Sequence, residues 1–372
     1  MKVLIAGDFC PRNRVANLLD KGNFNTVLGD YKNNLPIANY YIVNFECPVV
    51  EGKAEPILKL GPNLRCSEKG MEAVKWAGFT CVTLANNHFK DYGEDGIKST
   101  LEMCRKYELD VVGGGANLYE AAQTFYKNID GVTLAIINCC EHEFSIATDN
   151  SAGSNPLNPI QQFYAIKEAK EKSDYVLVIV HGGHEYYQLP SIRMQETYRF
   201  FIDAGADAVV NHHQHCYSGY EFYNGKPIVY GLGNFCFDEG EGKGSWNEGC
   251  LAIIDFLKEP ILELIPYIQC DKAPMVKMVP PHGFKESMKK LNDTRASKEL
   301  LKNEMNEYYK KVSKSTRNVL NPVVNRYLRD LQYFHLFPDI ISDNWLNVVH
   351  NHVMCEAHRD KLIYFLNHRH EF

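Results

Sequence analysis

The chain has 372 residues, of which 45% are hydrophobic and 23% charged, enough to bury a large core in a globular protein. Its formal net charge of -6 argues against a general nucleic-acid binder, because tracking a phosphate backbone requires a basic surface. This composition suits a protein that acts on small-molecule or peptidic substrates.

The start of the chain and its cysteines bear on the compartment. The apolar run of residues 3–6 reaches the polar pair Gly7-Asp8 at once and is shorter than a secretory signal. No later stretch holds about twenty apolar residues, so we expect no membrane span. The twelve cysteines form no CxxC pair, and several lie inside apolar runs where a free thiol packs as a hydrophobic group. We expect a reduced, cytoplasmic protein.

Short β-branched runs alternate with helical segments through about the first 210 residues, which predicts a layered α/β domain with a largely parallel sheet. The predicted strands are residues 3–6, 41–45, 80–84, 176–180 and 207–210. The predicted helices are residues 67–76, 94–106, 159–172 and 191–204. From Tyr220 onwards, paired short strands around an Asn224-Gly225 turn predict a second sheet.

Beyond about residue 272 the pattern becomes helical. Residues 272–372 hold 17 Lys and Arg against 11 Asp and Glu, a net charge of +6, whereas the remainder carries -12. We therefore expect a main domain over residues 1–271 and a helical C-terminal region over residues 272–372. An apolar cluster in this region predicts packing on the main domain, or a homo-oligomer interface if it is exposed. Its members are Tyr327, Leu328, Leu331, Phe334, Leu336 and Phe337.

Polar clusters stand where predicted strands run into loops. They are Gly7-Asp8, Asn44-Phe45-Glu46, Asn86-Asn87-His88, His181 to Glu185 and Asn211 to His215. Because open α/β sheets place their active sites at the carboxyl ends of their strands, we expect these side chains to converge. Together they supply two acids, an amide and several imidazoles, which is the ligand set of a two-metal hydrolytic centre.

The residue types suggest separate positions at such a centre. Glu46 is the candidate to bridge two ions, while Asp8 would hold one ion and the amide oxygen of Asn87 the other. His213 and His215 stand two apart on what we expect to be extended backbone, so they should point the same way. Taken alone, an acid or amide at these places would more often be a helix cap or a turn former. Three imidazoles within four residues have few structural uses, so ligation is favoured there.

In this order the motifs resemble those of the bacterial CapA-like family, whose members are named for capsule and poly-γ-glutamate biosynthesis. That family is similar to calcineurin-like metallophosphoesterases. The resemblance spans residues 2 to 238, and its most specific parts are Leu84 to Gly93 and Tyr230 to Phe235. It implies a metallophosphoesterase-like α-β-β-α sandwich with a C-terminal helical extension, and two divalent metal ions, Mn, Zn or Fe.

The resemblance also implies roles for individual residues. The metal ligands would be Asp8, Glu46, Asn87, His181, His213 and His215. His88, hydrogen-bonded to an acid such as Asp91, would protonate a leaving group. The substrate side would be formed by His184, Glu185, Tyr186 and Asn234.

Two segments depart from the family pattern. Cys10 stands where metallophosphoesterases usually have a histidine, so either that ion has one ligand fewer or Cys10 supplies a thiolate that favours zinc. The segment from Asn211 to His215 lacks the expected glycine and proline, so His212 competes with His213 as the ligand.

These inferences predict a metal-dependent hydrolase with a dinuclear centre, acting on a phosphoester and linked to capsule or polymer biosynthesis. Two alternatives stay open. One is metal-dependent amide or peptide chemistry on a γ-glutamyl, peptidic or polymer-related substrate. The other is a non-catalytic component of a capsule or envelope polymer assembly, whose basic C-terminal region docks a partner or an anionic polymer.

Overall fold

The computed structural model describes residues 1–59, 61–320, 326–334 and 336. The chain divides into two compact units, Met1–Leu301 and Lys302–Phe372. The boundary that the charge pattern places at residue 272 stays a prediction. Within the described ranges, no helix combines the length and the apolar composition that crossing a membrane requires.

Two large sheets form the centre of the first unit. The strands are β1 (Lys2–Cys10), β2 (Tyr40–Phe45), β3 (Cys81–Thr83), β4 (Asp110–Val112), β5 (Gly114–Gly115), β6 (Phe125–Ile129), β7 (Val132–Cys140), β8 (Gly153–Ser154), β9 (Tyr175–His181), β10 (Ala208–His212), β11 (Tyr220–Tyr223), β12 (Lys226–Val229), β13 (Asn234–Phe237), β14 (Glu248–Asp255), β15 (Ile261–Gln269) and β16 (Val276–Met278). One sheet has the order β16-β15-β14-β1-β2-β3-β4, with β13 also paired to β1, and the other has the order β11-β12-β10-β9-β7-β6.

The helices are α1 (Asn13–Leu19), α2 (Phe24–Asn33), α3 (Glu68–Ala77), α4 (Gly93–Lys106), α5 (Leu118–Ala121), α6 (Pro159–Lys172), α7 (Ile192–Ala204), α8 (His282–Ala296), α9 (Lys298–Leu320) and α10 (Arg326–Tyr333). A 3-10 helix covers Gly244–Asn247.

The apolar residues of the strands explain why the sheets stack. In β1, Val3 and Ile5 belong to the core between the two sheets, whereas Leu4 and Ala6 face the core beneath helices α1 to α4. A third core joins β9 and β10 to α6 and α7. Alternate residues of a strand lie on opposite faces, so a strand that is apolar at every position must be covered on both sides. The result is an α-β-β-α sandwich, which confirms the predicted fold class.

The strand pairing differs from the sequence prediction. The first 210 residues do not form one largely parallel sheet, because β1 to β4 lie in one sheet and β6, β7, β9 and β10 in the other. The paired strands after Tyr220 do not form a separate sheet either: β11 and β12 extend the sheet of β10, and β14 runs antiparallel to β1. Strands buried on both faces look alike in sequence, so their pattern does not indicate which sheet they join. The predicted Asn224-Gly225 turn is confirmed, with φ of 50° and 74°.

The described residues after position 272 are mostly helical, as predicted, but the short strand β16 was missed. Every described member of the predicted apolar cluster is exposed: Tyr327, Leu328, Leu331, Phe334 and Leu336. Phe337 lies outside the described residues. A role of this cluster in oligomerisation stays a prediction.

Candidate metal centre

The carboxyl ends of four parallel strands deliver acidic and imidazole side chains to one place. Asp8 lies near the end of β1, and Glu46 directly follows β2, its parallel neighbour. In the other sheet, His181 ends β9 and His212 ends β10 beside it. These four residues are at most 2% exposed. The site therefore forms where matching ends of the two sheets meet, as the strand-end clusters predict.

Gly7 makes this convergence possible. A Cβ atom at position 7 would lie 1.9 Å from the carbonyl oxygen of Gly233, far closer than any contact tolerates. The backbone N–H of Asp8 donates a hydrogen bond to the same oxygen at 3.1 Å. Strand β13 therefore approaches the end of β1 only because residue 7 has no side chain. This approach brings Asn234, the first residue of β13, to the site.

Two groups of potential ligand atoms share Glu46. One atom from each of Glu46, His181 and His213 lies within 4.8 Å of the others, and the same holds for Asp8, Glu46 and His215. Carboxylate oxygens and imidazole nitrogens are ligands that divalent transition metals take in proteins. All five residues of these two groups are among those that the sequence analysis assigned to the metal centre.

Glu46 is electrostatically unfavourable in the protein alone. It is fully buried, and neither carboxylate oxygen has a hydrogen-bond partner among the described residues. Its Oε1 lies 3.6 Å from Nε2 of His181 and 3.8 Å from Nε2 of His215. Burial, and next the negative charge of Asp8, raise the pKa of Glu46 well above its usual value. A buried ionised carboxylate without a partner costs several kcal/mol. A divalent cation would supply that partner, so the residues present fit a metal ion.

Asp8 is held as an anion. Burial opposes its ionisation, but the hydrogen bond and charge of His212 outweigh this effect and keep the pKa of Asp8 well below its usual value. Its Oδ1 accepts a hydrogen bond from Nδ2 of Asn44 at 2.8 Å and lies 3.1 Å from Nδ1 of His212. Its Oδ2 accepts the backbone N–H of His213 at 3.3 Å. The carboxylate is thereby fixed in position.

The surroundings of His181 and His215 favour the neutral imidazole, which is the form that binds metals. Burial, followed by the charge of His213, lowers the pKa of His181 well below its usual value. Burial likewise lowers the pKa of His215. Nε2 of His181 lies 3.0 Å from Oδ1 of Asn87 and 3.1 Å from Nδ1 of His213. The amide oxygen of Asn87 therefore reaches the same ligand group.

The backbone at His213 and His215 is not extended, and that expectation was wrong. Strand β10 ends at His212, and φ is 86° at His213 and 55° at His215, so the chain turns. The turn, and not strand alternation, brings the two rings to a centroid distance of 6.1 Å. The bond from the His213 N–H to Asp8 helps to hold this unusual backbone. His212 contacts Asp8 and belongs to neither ligand group.

Cys10 is the last residue of β1 and is fully buried. Neither of the two ligand groups found among the described residues contains it. Its thiol lies instead beside Cys47, whose pKa is raised, first by burial and next by its hydrogen bond with Cys10. The choice between a site with one ligand fewer and a thiolate ligand from Cys10 stays a prediction.

His88 lies beside the ligand groups with its ring engaged on one side. Nδ1 of His88 lies 2.7 Å from Oδ2 of Asp91, so the structure contains the contact that the proposed acid role requires. The backbone N–H of His88 donates to Oδ1 of Asn86 at 3.1 Å. The Asn86 side chain therefore braces the loop that carries both Asn87 and His88.

A cavity of about 570 Å³ opens beside His88 and His215. Tyr186 and Trp246 form part of its wall, with ring centroids 5.6 Å apart in a stacked arrangement. A larger cavity of about 650 Å³ lies between β15 and α8, and its described lining includes no residue of the metal centre. The smaller cavity is therefore the candidate substrate site, because a reacting group must reach the ligands.

The predicted substrate residues occupy different places. Glu185 and Tyr186 line the 570 Å³ cavity. His184 is partly buried and is not among the described residues that line this cavity; burial lowers its pKa. Asn234 is fully buried, and its Oδ1 lies 2.9 Å from Nδ1 of His215. Asn234 is thus placed to orient a ligand histidine.

Some side chains at the site received no role from the sequence. Asn44 holds Asp8 and lies 3.3 Å from Nδ1 of His181. It stands in a polar strand-end cluster, so its position was a usable signal. Glu143 lies 3.5 Å from Nε2 of His213. It belongs to a loop after β7 that carries no recognisable motif, so the sequence offered no signal for it.

A family model described as bacterial capsule synthesis protein PGA_cap matches residues 2–239. The capsule biosynthesis protein CapA of Bacillus anthracis is 34% identical over 248 residues, which cover 64% of this chain and 60% of that protein. The PGA biosynthesis protein CapA of Bacillus subtilis is 37% identical over 206 residues, or 55% of this chain and 54% of that protein. The chain thus spans little more than half the length of these curated relatives.

Among solved structures, a 5'-nucleotidase precursor from Thermus thermophilus is 11% identical with a TM-score of 0.42, over 77% of this chain and 57% of that chain. A similarity this low carries no conclusion about the function of the chain.

Proposed function

Because the chain belongs to the bacterial capsule synthesis protein family PGA_cap, we propose that its buried acids and imidazoles form a two-metal hydrolytic centre that acts on a phosphoester in capsule or polymer biosynthesis. The observation that carries this proposal is Glu46, a fully buried acid that both ligand groups share and whose oxygens have no hydrogen-bond partner in the described part of the chain. A pair of divalent ions binds phosphoryl oxygens, lowers the pKa of bound water and stabilises the charge that develops during displacement.

The ligands divide into two sets around Glu46. His181 and His213, with the amide oxygen of Asn87, would hold one ion. Asp8 and His215 would hold the other. The mixture of carboxylate, amide and imidazole donors suits Mn, Zn or Fe.

His88 would serve as the acid that protonates the leaving oxygen. Its Nδ1 is engaged by Asp91, which leaves Nε2 as the ring nitrogen for a bound ligand. Histidine is suited to proton transfer near neutral pH, and a positioned acid of this kind contributes about 10² to 10⁴ in rate. Tyr186 and Trp246 would hold the leaving group at the wall of the cavity.

The test is turnover of an aryl phosphodiester and an aryl phosphomonoester by protein loaded with Mn²⁺, with metal content measured in the same sample. Turnover of either ester that is lost in Glu46→Gln and in His181→Ala supports the proposal. His282→Ala is the matched control, because the His282 side chain is 94% exposed and lies on α8. Full metal occupancy without turnover of either ester would remove phosphoester hydrolysis as the function.

A second candidate is hydrolysis of an amide bond in an acidic polymer. Arg12 and Lys243 line the cavity together with Glu185 and Glu239, and Arg12 forms an ion pair with Glu239 at 2.9 Å. Lys243 could meet a carboxylate of such a chain, and the relatives named above are called capsule and PGA biosynthesis proteins. The same metal-loaded protein should then release amine from γ-glutamyl oligomers and no phosphate from esters. Binding of the oligomers without turnover, retained in Glu46→Gln, would instead indicate a non-catalytic component of a polymer assembly.

A further inference from the structure

A lysine lies buried behind the proposed acid. The Lys59 side chain is only 2% exposed, and its Nζ forms an ion pair with Oδ1 of Asp91. The same Nζ lies 3.1 Å from Nδ1 of His88. Oδ2 of Asp91 contacts Nδ1 of His88 at 2.7 Å and accepts the backbone N–H of Leu64 at 2.6 Å. One fully buried carboxylate therefore joins the lysine, the histidine ring and the backbone of the lysine's own loop.

The loop that carries Lys59 is tied to Asp91 by its backbone as well. The N–H of Ile57 donates to the Asp91 carbonyl oxygen at 2.9 Å. Nδ2 of Asn63 donates to the same oxygen at 3.0 Å and to the carbonyl oxygen of Ile57 at 3.1 Å. These bonds hold Ile57 and Asn63 against the residue that contacts His88. The ion pair of Lys59 is therefore one of several contacts that this part of the loop makes with Asp91.

The charges explain why a lysine is tolerated there. An isolated ammonium is very costly to bury, and Lys is almost never fully buried unless it is paired. The Asp91 carboxylate would in turn be an uncompensated buried anion without Lys59. The pair therefore allows an acid to stand directly behind the ring of His88.

The two contacts at Nδ1 of His88 decide which ring nitrogen serves a ligand. A carboxylate can only accept a hydrogen bond, whereas an ammonium can only donate one. Asp91 therefore suits the tautomer with a proton on Nδ1, and Lys59 suits the tautomer with an unprotonated Nδ1. In either case Nδ1 is bound within the protein, and rotation of the ring would break both contacts. Nε2 stays directed away from the pair.

We propose that Lys59 is a positioning residue for His88, acting through Asp91 to fix the ring so that Nε2 meets the leaving oxygen of the substrate. This inference deepens the proposed function and rests on it. The acid form of His88 carries a proton on Nε2, either in the tautomer with an unprotonated Nδ1 or with both ring nitrogens protonated. In the reaction, the bond from phosphorus to the leaving oxygen breaks as the bond to the oxygen of water forms. The proton on Nε2 passes to the leaving oxygen, the attacking water releases a proton to solvent, and Nε2 takes up a proton from solvent before the next turnover. Lys59 does not touch the substrate.

The kinetic test compares esters whose leaving groups need a proton with esters whose leaving groups do not. Lys59→Met keeps the unbranched shape and most of the length of the side chain and removes its charge. We expect kcat/KM for an alkyl phosphoester to fall by about 10- to 100-fold, the scale expected for misplacement of a catalytic group, with little change for a nitrophenyl ester. His88→Ala should show the same selectivity. The variant that combines Lys59→Met with His88→Ala should be no slower than His88→Ala alone. Lys53→Met, on the exposed part of the same loop, is the control and should alter neither rate.

A further variant separates positioning from simple charge balance. Lys59→Arg keeps the positive charge that balances Asp91 but changes the group that lies beside Nδ1 of His88. If Lys59 served only to neutralise Asp91, this variant would keep the alkyl ester rate; positioning predicts that the rate falls. Should Lys59→Met fail to fold, Lys59→Arg decides the question, because it keeps the buried charge of Asp91 paired. An equal loss on both esters, accompanied by loss of metal, would overturn the proposal.

A measurement without turnover keeps this inference distinct from the proposed function. Ring ¹⁵N shifts in the histidine-labelled, metal-free full-length chain, assigned with His88→Ala, report how Nδ1 and Nε2 of His88 are bonded. We expect the two shifts to move towards each other in Lys59→Met, as the ring loses its fixed partners. Unchanged shifts would overturn the role of Lys59. Absence of phosphoester turnover in the wild type, with shifts that do respond to Lys59→Met, would instead overturn the proposed function alone.

Discussion

Replacing Glu46 by Gln should raise the free energy of unfolding of the metal-free protein and lower that of the metal-bound protein. The amide has nearly the shape of the carboxyl group but no charge. Both oxygens of Glu46 lack hydrogen-bond partners among the described residues, so the substitution breaks no bond of the described structure. It does remove the one ligand common to both groups of potential ligand atoms.

The sign of the effect follows from the raised pKa of Glu46, which burial and next the charge of Asp8 produce. In the unfolded chain the group releases its proton near its ordinary value of 4.5, whereas the folded chain keeps the proton to higher pH. The free energy of unfolding therefore falls as pH rises above about 4.5 until the folded pKa is passed. Each pH unit between the pKa of the unfolded chain and that of the folded chain lowers the free energy of unfolding by about 1.4 kcal/mol. Gln abolishes this slope but buries an amide, so we expect a net gain of about 1–3 kcal/mol at pH 8.

With metal bound, the wild type should be more stable than Glu46→Gln. Ions present at 100 times their Kd would stabilise the wild type by about 2.7 kcal/mol for each site, and the variant by much less. Urea unfolding at pH 8, with chelator and then with Mn²⁺, measures both effects. Glu259→Gln is the control, since Glu259 is exposed in the turn between β14 and β15. A metal-free Glu46→Gln protein that is less stable than the wild type, or an equal gain from metal in both, would refute the reasoning.

Other substitutions probe the support of the centre. Asn44→Ala should weaken metal binding by about 10- to 100-fold in a titration, because Asn44 orients Asp8 and lies against His181; unchanged affinity would exclude this role. The lowered pKa of His181 means that the unfolded chain takes up a proton below about 6.5 that the folded chain does not, so His181 contributes a loss of stability between pH 7 and 5 in the metal-free protein. The free energy of unfolding of His181→Gln relative to that of the wild type should therefore rise from pH 7 to 5 in urea unfolding, and a constant difference would contradict this role. Cys10→Ala should leave the metal content of the purified protein unchanged, and loss of one equivalent would restore Cys10 as a ligand. Gly7→Ala should destabilise by more than about 3 kcal/mol in thermal unfolding, because its Cβ meets a backbone oxygen; a shift within about 1 °C would contradict that packing.

The strand ends of the site could be predicted because each follows a short apolar run. Residues 176–180 are uniformly apolar and stop at His181, and the observed strand β9 covers Tyr175–His181. Parallel strands of one sheet end at the same edge, so that pattern was enough to predict that Asp8 lies near Glu46 and that His181 lies near His212. The two pairs come from different sheets, and the packing that brings the two sheet edges together did not follow from the pattern.

Local backbone and long-range pairing could not be predicted in the same way. Nothing in the types of His213 and His215 indicates a positive φ, because the turn depends on contacts such as the bond to Asp8. The sequence around Lys59 contains Gly, Glu and Pro and is typical of a solvated loop. The lysine is buried through its ion pair with Asp91, which is distant in sequence. These are tertiary effects, which local composition does not encode.

The most direct test of the two-metal centre is an anomalous difference map from crystals of the full chain grown with Mn²⁺. We expect two adjacent peaks that share Glu46 as a ligand, one beside His181 and His213 and the other beside Asp8 and His215. Glu46 hydrogen-bonded within a histidine cluster, with no peak at its oxygens, would contradict it.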